Sequence, residues 1–342
     1  MARFILSKKV LLQQYERIKK VCDEVAYSLK TNPIVGKILE KMTDSSFEIF
    51  SPFLIDEIED KNRILYTLQG DKKEEIEKFL KSGVRRFVVD NENDLKNLID
   101  VVRTSSEKID LLLRIKAREH TIYTGKYFVY GFSFEKANKL IEELSKEKVI
   151  ENLGIHFHRK TQNVGEWFLK EDFEETISLE NRKRIKIVDI GGGIPWFYVN
   201  SKPNIEEILR KIEEFRKYLN ENGIKLITEP GRFLAAPCIR LETEIINVYD
   251  NVIVVDASLF NGAMDVYLLG FRYPVLGEKE SGKEFIIKGR SADSLDIFRY
   301  KVFFDKEPKI GEKIVFENAG AYNFWTDFSN FPKLKTEIVK DF

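Results

Sequence analysis

Cysteine is nearly absent from this sequence. Cys22 and Cys238 stand far apart, and neither has a second ligand at a metal-binding spacing. A disulfide framework and a zinc ribbon are thereby excluded, and two buried thiols in a reducing compartment are expected. Long apolar runs are missing too: none approaches the roughly 18 residues that span a bilayer. The N-terminus, Met1-Ala2-Arg3-Phe4-Ile5-Leu6-Ser7-Lys8-Lys9, is too short and too soon charged for a secretory leader, so the expected location is cytoplasmic. Nor is there an excess of either charge, since Lys+Arg and Asp+Glu both number 56. A nucleic-acid or membrane surface is therefore not expected. Repeats, linkers and low-complexity segments are also lacking. What remains is an ordinary globular composition with length for one large core and a smaller second one.

The chain is organised around Val188-Asp189-Ile190-Gly191-Gly192-Gly193-Ile194-Pro195. An apolar run ending in three glycines reads as a buried strand closing in a tight loop, and such a loop lets a phosphate approach bare backbone N–H groups. The run is one of eight, at 25–29, 47–50, 64–68, 87–89, 111–115, 154–158, 185–190 and 226–228, mostly separated by charged amphipathic stretches. Eight βα units predict a (β/α)8 barrel over residues 24–236, with a doubly wound open sheet as the competing topology. After Pro237 the runs become short, β-branched and aromatic, with Gly, Asn and Asp between them. They predict an antiparallel β domain made of residues 237–342 together with 1–23. The strand at residues 3–6 joins that domain because a closed barrel offers it no edge, and Ser7 caps the helix that follows.

In a barrel, chemistry collects at the C-terminal ends of the strands. Those ends carry Lys30-Thr31-Asn32-Pro33, Asp90, Arg114, His156-Phe157-His158-Arg159-Lys160-Thr161, the triple glycine, and Glu229-Pro230-Gly231-Arg232. Lys30 ends an apolar strand, so its amine should point into the barrel mouth, where burial lowers a lysine pKa and makes it nucleophilic. His156 and His158 share a strand face and would suit a metal, but no third ligand follows at a fitting spacing, so none is expected. A reactive lysine, a phosphate loop and a carboxylate together describe a site for pyridoxal 5'-phosphate (PLP).

Five motifs occur in one order: Tyr27-Ser28-Leu29-Lys30-Thr31-Asn32, His158, Asp189-Ile190-Gly191-Gly192-Gly193, Glu229-Pro230-Gly231-Arg232 and Glu317-Asn318-Ala319-Gly320-Ala321-Tyr322. From about residue 3 to about residue 325 the chain resembles the fold type III PLP-dependent decarboxylases, which act on ornithine, lysine, arginine, diaminopimelate or carboxynorspermidine. The resemblance implies a PLP barrel followed by a β domain, and a homodimer with shared active sites. It implies that Lys30 is the Schiff-base lysine, His158 the ring stacked on the cofactor and Glu229 the partner of the pyridine nitrogen. Gly191, Gly192, Gly193, Gly231, Arg232, Tyr322 and the hydroxyl of Thr161 become cofactor-phosphate or substrate-carboxylate contacts. One segment departs. Gly289-Arg290-Ser291-Ala292-Asp293-Ser294-Leu295-Asp296 keeps the acid that many relatives present from the partner subunit, but Ala292 replaces their proton-donating cysteine.

The reading that follows is decarboxylation of a basic amino acid or polyamine precursor, ornithine or lysine type favoured. Asp293, and with it Asp265, would meet a substrate cation. Arg272 would pair a distal carboxylate as in the diaminopimelate enzymes, or else lie at the surface or a dimer interface. A diaminopimelate or carboxynorspermidine type is the alternative. A racemase on a similar barrel is disfavoured by Glu229, since such enzymes typically set Arg against the pyridine nitrogen. A catalytically weak or dead PLP-binding homologue is motivated by Ala292.

Overall fold

The computed structural model describes residues 1–105, 107–116, 130–158, 160–165, 167–323 and 325–342, so that Arg159 lies outside the described residues. The chain divides into two compact units. One comprises Glu16–Pro195 and Asn204–Gly231, the other Met1–Tyr15, Trp196–Pro203 and Arg232–Phe342. The segment Trp196–Pro203, counted with the barrel in the sequence, groups with the second unit.

The strand of the N-terminal residues, β1, is Arg3–Ser7. The first unit is a closed parallel barrel of the next eight strands: β2 (Glu24–Ser28), β3 (Ser46–Ile49), β4 (Ile64–Thr67), β5 (Arg86–Val89), β6 (Ile109–Ile115), β7 (Ile150–Phe157), β8 (Ile187–Asp189) and β9 (Lys225–Thr228). All eight coincide with the eight apolar runs, and closure by the β2–β9 pair excludes the open sheet. Helices such as Lys73–Ser82, Glu92–Ser105, Phe134–Leu144 and Ile205–Glu221 alternate with the strands.

Side chains alternate along a strand with period two, so residues of one parity share the barrel lumen. Three layers result. The lowest is polar: Glu24 accepts from Ser46 Oγ, Arg86 and Lys225, each at 2.5 Å, and Asn152 donates to Asp110 at 2.7 Å. The middle layer is apolar and buried, formed by Ala26, Leu65, Val88, Leu112, Ile187 and Ile227. Two residues further along these strands come Ser28, Thr67, Asp90, Arg114, Asp189 and Glu229, at the C-terminal mouth, where β3 and β7 add Glu48 and His156.

The second unit holds one seven-stranded sheet. Its new strands are β10 (Ile239–Tyr249), β11 (Val252–Val255), β12 (Lys283–Lys288), β13 (Ile297–Phe304), β14 (Lys313–Phe316) and β15 (Lys335–Val339). Their order is β13-β12-β11-β10-β1-β15, with β14 also on β10. β1 pairs antiparallel with β10, as expected of the N-terminal strand. The helix Lys8–Lys19 follows, its first turn closed by Val10 N–H donating to Ser7 Oγ at 3.2 Å. Two pairings are parallel, β1 with β15 and β11 with β12, so the sheet is mainly rather than wholly antiparallel. β15 has no counterpart in the sequence reading. It is an edge strand with no buried residue, so nothing imposes an apolar alternation on it. The helices Leu259–Gly262 and Met264–Leu269 are too short to show a period.

Candidate active site

The segment after β2 explains why Lys30 sits at the barrel mouth. Leu29–Thr31 makes a single 3-10 turn, and Asn32 then caps the helix Pro33–Met42 by accepting N–H groups of Ile34 and Val35 at 3.1 and 3.4 Å. Pro33 at the first helical position suits this, because it has no N–H to satisfy. Lys30 is thus held between a strand end and a capped helix. Its Nζ lies 3.3 Å from Glu48 Oε2 and 4.9 Å from the Phe50 ring centroid. Glu48 is buried on β3 and also accepts from Ser28 Oγ at 2.7 Å. The turn after β9 packs on the same segment. A Cβ at Gly231 would fall 2.2 Å from Thr31 Oγ1, so only glycine permits this approach.

The glycine loop is pinned from both sides. Gly191 and Gly193 adopt φ of +65° and +88°, which favour glycine. Gly191 O accepts from Glu229 N–H at 2.8 Å, and Gly193 O accepts from Asn163 N–H at 2.9 Å. A Cβ on Gly191 would lie 2.4 Å from Phe157 O and 3.2 Å from His158 Nδ1, and one on Gly192 would lie 2.8 Å from Glu229 O. The loop therefore brings the ends of β7 and β9 together. Thr161 is half-buried in the segment that follows His158, two residues before Asn163.

Three groups meet beside the loop. His156 Nε2 is 3.3 Å and His158 Nδ1 4.0 Å from Glu229 Oε2, and the two imidazoles are nearly parallel, with centroids 6.2 Å apart. Their donor atoms lie within 4.8 Å of one another, so the fold supplies the third ligand type that linear spacing did not. Burial dominates the titration here. It pushes His156 down to about 4 and, with the Lys30 charge, holds His158 well below the usual imidazole range. It raises Glu229 to about 8, helped by the charge of Glu48, and lifts Asp189 well above the usual carboxyl range, helped by Glu229. Both imidazoles are therefore neutral at pH 7, and Glu229 retains much of its proton. One Glu229 oxygen, Oε1, is buried without a hydrogen-bond partner. An acid so placed has room for one strong donor, such as a protonated ring nitrogen.

The second unit contains the remaining candidates. Arg232 is buried and forms a bidentate pair with Asp265, at 2.5 and 2.9 Å, and also donates to Tyr198 Oη at 2.7 Å. Its guanidinium stacks near Phe271, Tyr198 and Tyr322, at 4.6, 5.5 and 5.2 Å from the ring centroids. The carboxylate of Asp265, expected to meet a substrate cation, is thus taken up by Arg232. Arg272 is exposed. Ala292 is exposed and Asp293 half-buried, its carboxylate accepting from Leu295 N–H at 2.8 Å. Beside it Asp296 is fully buried and holds the turn by accepting from Ser291 and Leu259 N–H.

The sequence profile described as "Pyridoxal-dependent decarboxylase, pyridoxal binding domain" matches residues 11–236, more than half of the chain. The chain belongs to the pyridoxal-dependent decarboxylases. Within this family its cofactor is PLP, and a buried Glu229 Oε1 without a hydrogen-bond partner, in the field of the Lys30 charge, fits that group. The chain is 25% identical to the diaminopimelate decarboxylase of Methanothermobacter thermautotrophicus, over 99% of this chain and 86% of the relative. It is 22% identical to the ornithine decarboxylase of Schizosaccharomyces pombe, over 91% and 76%. The fold is that of the lysine decarboxylase of Selenomonas ruminantium, with a TM-score of 0.82 at 21% identity over 100% of this chain and 93% of that one. This decarboxylase scaffold adds Glu48 to the residues singled out from the sequence, and sets His156 and Asp189, named there without a role in the cofactor site, beside Glu229. Glu48 sits within Phe47-Glu48-Ile49 and passes there for the polar position of an alternating strand.

Proposed function

We propose that this chain decarboxylates a basic amino acid or a polyamine precursor, with ornithine or lysine type favoured, and that Lys30 holds the cofactor's aldehyde carbon until the substrate amine displaces it. The carrying observation is the pairing of Lys30 Nζ with the buried Glu48 in a barrel mouth that also holds an acid with a free oxygen, Glu229. PLP supplies the electron sink that makes loss of CO₂ accessible. Glu229 keeps a proton at the ring nitrogen, and His158 lies along a ring face. The loop Gly191-Gly192-Gly193, with Thr161, Gly231, Arg232 and Tyr322, contacts the phosphate or the substrate carboxylate. Asp265 acts on this reading by holding Arg232, while Asp293 meets the distal cation from the partner subunit of a homodimer. With Ala292 in place of a thiol, return of a proton to Cα falls to Lys30 Nζ, which lies 3.3 Å from Glu48 Oε2, or to an ordered water.

Two names support the substrate class: relatives are called diaminopimelate and ornithine decarboxylases. A diaminopimelate type is therefore the second reading, and Arg272 the residue that would serve it. The test offers ornithine, lysine, arginine, diaminopimelate and carboxynorspermidine to the PLP-loaded protein and follows CO₂ and absorbance together. CO₂ from ornithine or lysine is expected. Cofactor uptake with no CO₂ from any of the five leaves a PLP-binding homologue, and change of optical rotation without CO₂ indicates a racemase. A Lys30→Ala protein that retains a borohydride-sensitive band and full turnover would remove Lys30 from its role.

A further inference from the structure

Beyond the groups that touch cofactor or substrate, the mouth holds other buried polar side chains, His156 and Asp189 among them. His156 points into the lumen from β7, flanked in register by Arg114 on β6 and Asp189 on β8. It is 2% exposed, and Nε2 alone of its two nitrogens has a partner, Glu229 Oε2 at 3.3 Å. Nδ1 is buried without one.

We propose that His156 is a positioning residue for Glu229: it donates Nε2–H to Oε2, holds the carboxylate in one rotamer in its ionised form, and so leaves Oε1 for the cofactor's ring nitrogen. The inference rests on the PLP reading of Glu229. Its argument is one of hydrogen-bond inventory. A neutral imidazole has one N–H, and an ionised carboxylate only accepts. If Glu229 is ionised with the cofactor bound, the contact at Oε2 requires the proton on Nε2, which leaves Nδ1 as the bare, unpartnered nitrogen. The orphaned Nδ1 is thus explained: a bare ring nitrogen left dry costs less than an unpaired N–H beside a buried carboxylate.

The groups that face His156 decide whether it can serve. Asp189 favours its charged form, while burial, Arg114 and Lys30 oppose it and Glu48 adds a weaker favourable charge. Burial outweighs the rest, so the ring remains a neutral donor across the physiological range and does not become a second cation competing with the ring nitrogen for Glu229. Two other side chains stand near Glu229: Asp189, whose carboxyl hydrogen-bonds to it, and His158, whose Nδ1 is 4.0 Å away. Of the two imidazoles, His156 alone is within hydrogen-bond reach, so it fixes Oε2 while Asp189 packs on the same acid.

The sequence makes a direct test practical, since the chain has three histidines. In protein labelled with ¹⁵N-histidine and loaded with PLP, His156 is expected to be neutral and protonated on Nε2. An Nδ1–H tautomer or a charged ring would overturn the proposal without any mutation. His156→Phe removes the donor and keeps the volume, and is expected to raise the dissociation constant for PLP about ten- to hundredfold, the range of a hydrogen bond to a charged group. It should also shift the pH dependence of the bound cofactor's visible absorbance. His156→Gln, which retains an N–H, is expected to recover most of both. Wild-type affinity and an unchanged pH profile in a folded His156→Phe protein would reduce His156 to packing. If wild-type protein takes up no PLP, the reading of the site falls with it, whereas uptake that is lost in Glu229→Gln but unaffected in His156→Phe sinks only the present inference.

Discussion

Glu229 is 3% exposed, and burial, with the charge of Glu48, raises it to about 8 from an ordinary carboxyl value near 4.5. That shift has a sign for stability. Between the two values the unfolded chain has lost this proton while the folded chain keeps it, so raising the pH favours unfolding. His156 and His158 act the other way, being depressed in the fold, but only up to their unfolded value near 6.5. From pH 6.5 to 8 the histidine effect is spent, and only the raised carboxyls of Glu229 and Asp189 act at this site. Urea unfolding of the PLP-free protein should therefore show a loss of up to about 2 kcal/mol over that window from Glu229, since one pH unit is worth about 1.4 kcal/mol per proton. Glu229→Gln should be flatter, and so should the loaded protein, where a protonated ring nitrogen stabilises the ionised acid. An equal slope in wild type and Glu229→Gln would show that Glu229 carries no raised pKa.

The strands themselves were legible, because each barrel strand is a short apolar run bounded by charged helix. What lay hidden is which residues face the lumen. Both faces of a parallel barrel strand are buried, so parity alone does not separate Glu48, inward at the mouth, from Phe47, buried on the other face. Asp265 was legible as an acid, but its partner Arg232 lies 33 positions away and only folding reveals the pair. The polar layer below the apolar one escaped for the same reason, and it has consequences for stability. Burial would raise Glu24, but Arg86, with Lys225 and Ser46, reverses this and holds it near 2. Its contribution is thus present above the ordinary carboxyl range and fades as pH falls towards 2. Arg86→Leu leaves Glu24 and Asp110 short of a cation in a half-dry layer. A loss of about 3–5 kcal/mol in denaturant titrations is expected, the range for breaking a buried pair. The folded fraction should still bind PLP, because an intact apolar layer lies between Arg86 and the mouth. Loss of cofactor affinity without loss of stability would contradict this layering.

At the scale of the whole molecule, the two units carry different halves of the proposed chemistry: Lys30, His158 and Glu229 belong to the barrel unit, Asp293 to the other. The surface around Asp293 supports a partner. Leu295 and Tyr300 are 52% and 55% exposed, and with Tyr267 and Arg272 they line a groove of about 310 Å³ within the β-rich unit. Large apolar side chains clustered in the open mark an interaction surface, and a second copy of the chain is the partner the proposed function requires. If Asp293 serves the Lys30 of its partner, a chain lacking either residue is inactive alone, yet the two defects lie in different sites of a mixed dimer. Lys30→Ala and Asp293→Ala proteins, dissociated together and allowed to reassociate at random, then form hybrids in about half of the dimers. Each hybrid has one site with both residues intact, so about a quarter of wild-type activity should return. Within a single chain the two residues would be lost independently, and mixing would restore nothing. A full-activity Asp293→Ala protein would instead remove Asp293 from substrate recognition, and sedimentation of Leu295→Glu would then show separately whether the apolar surface still joins two chains.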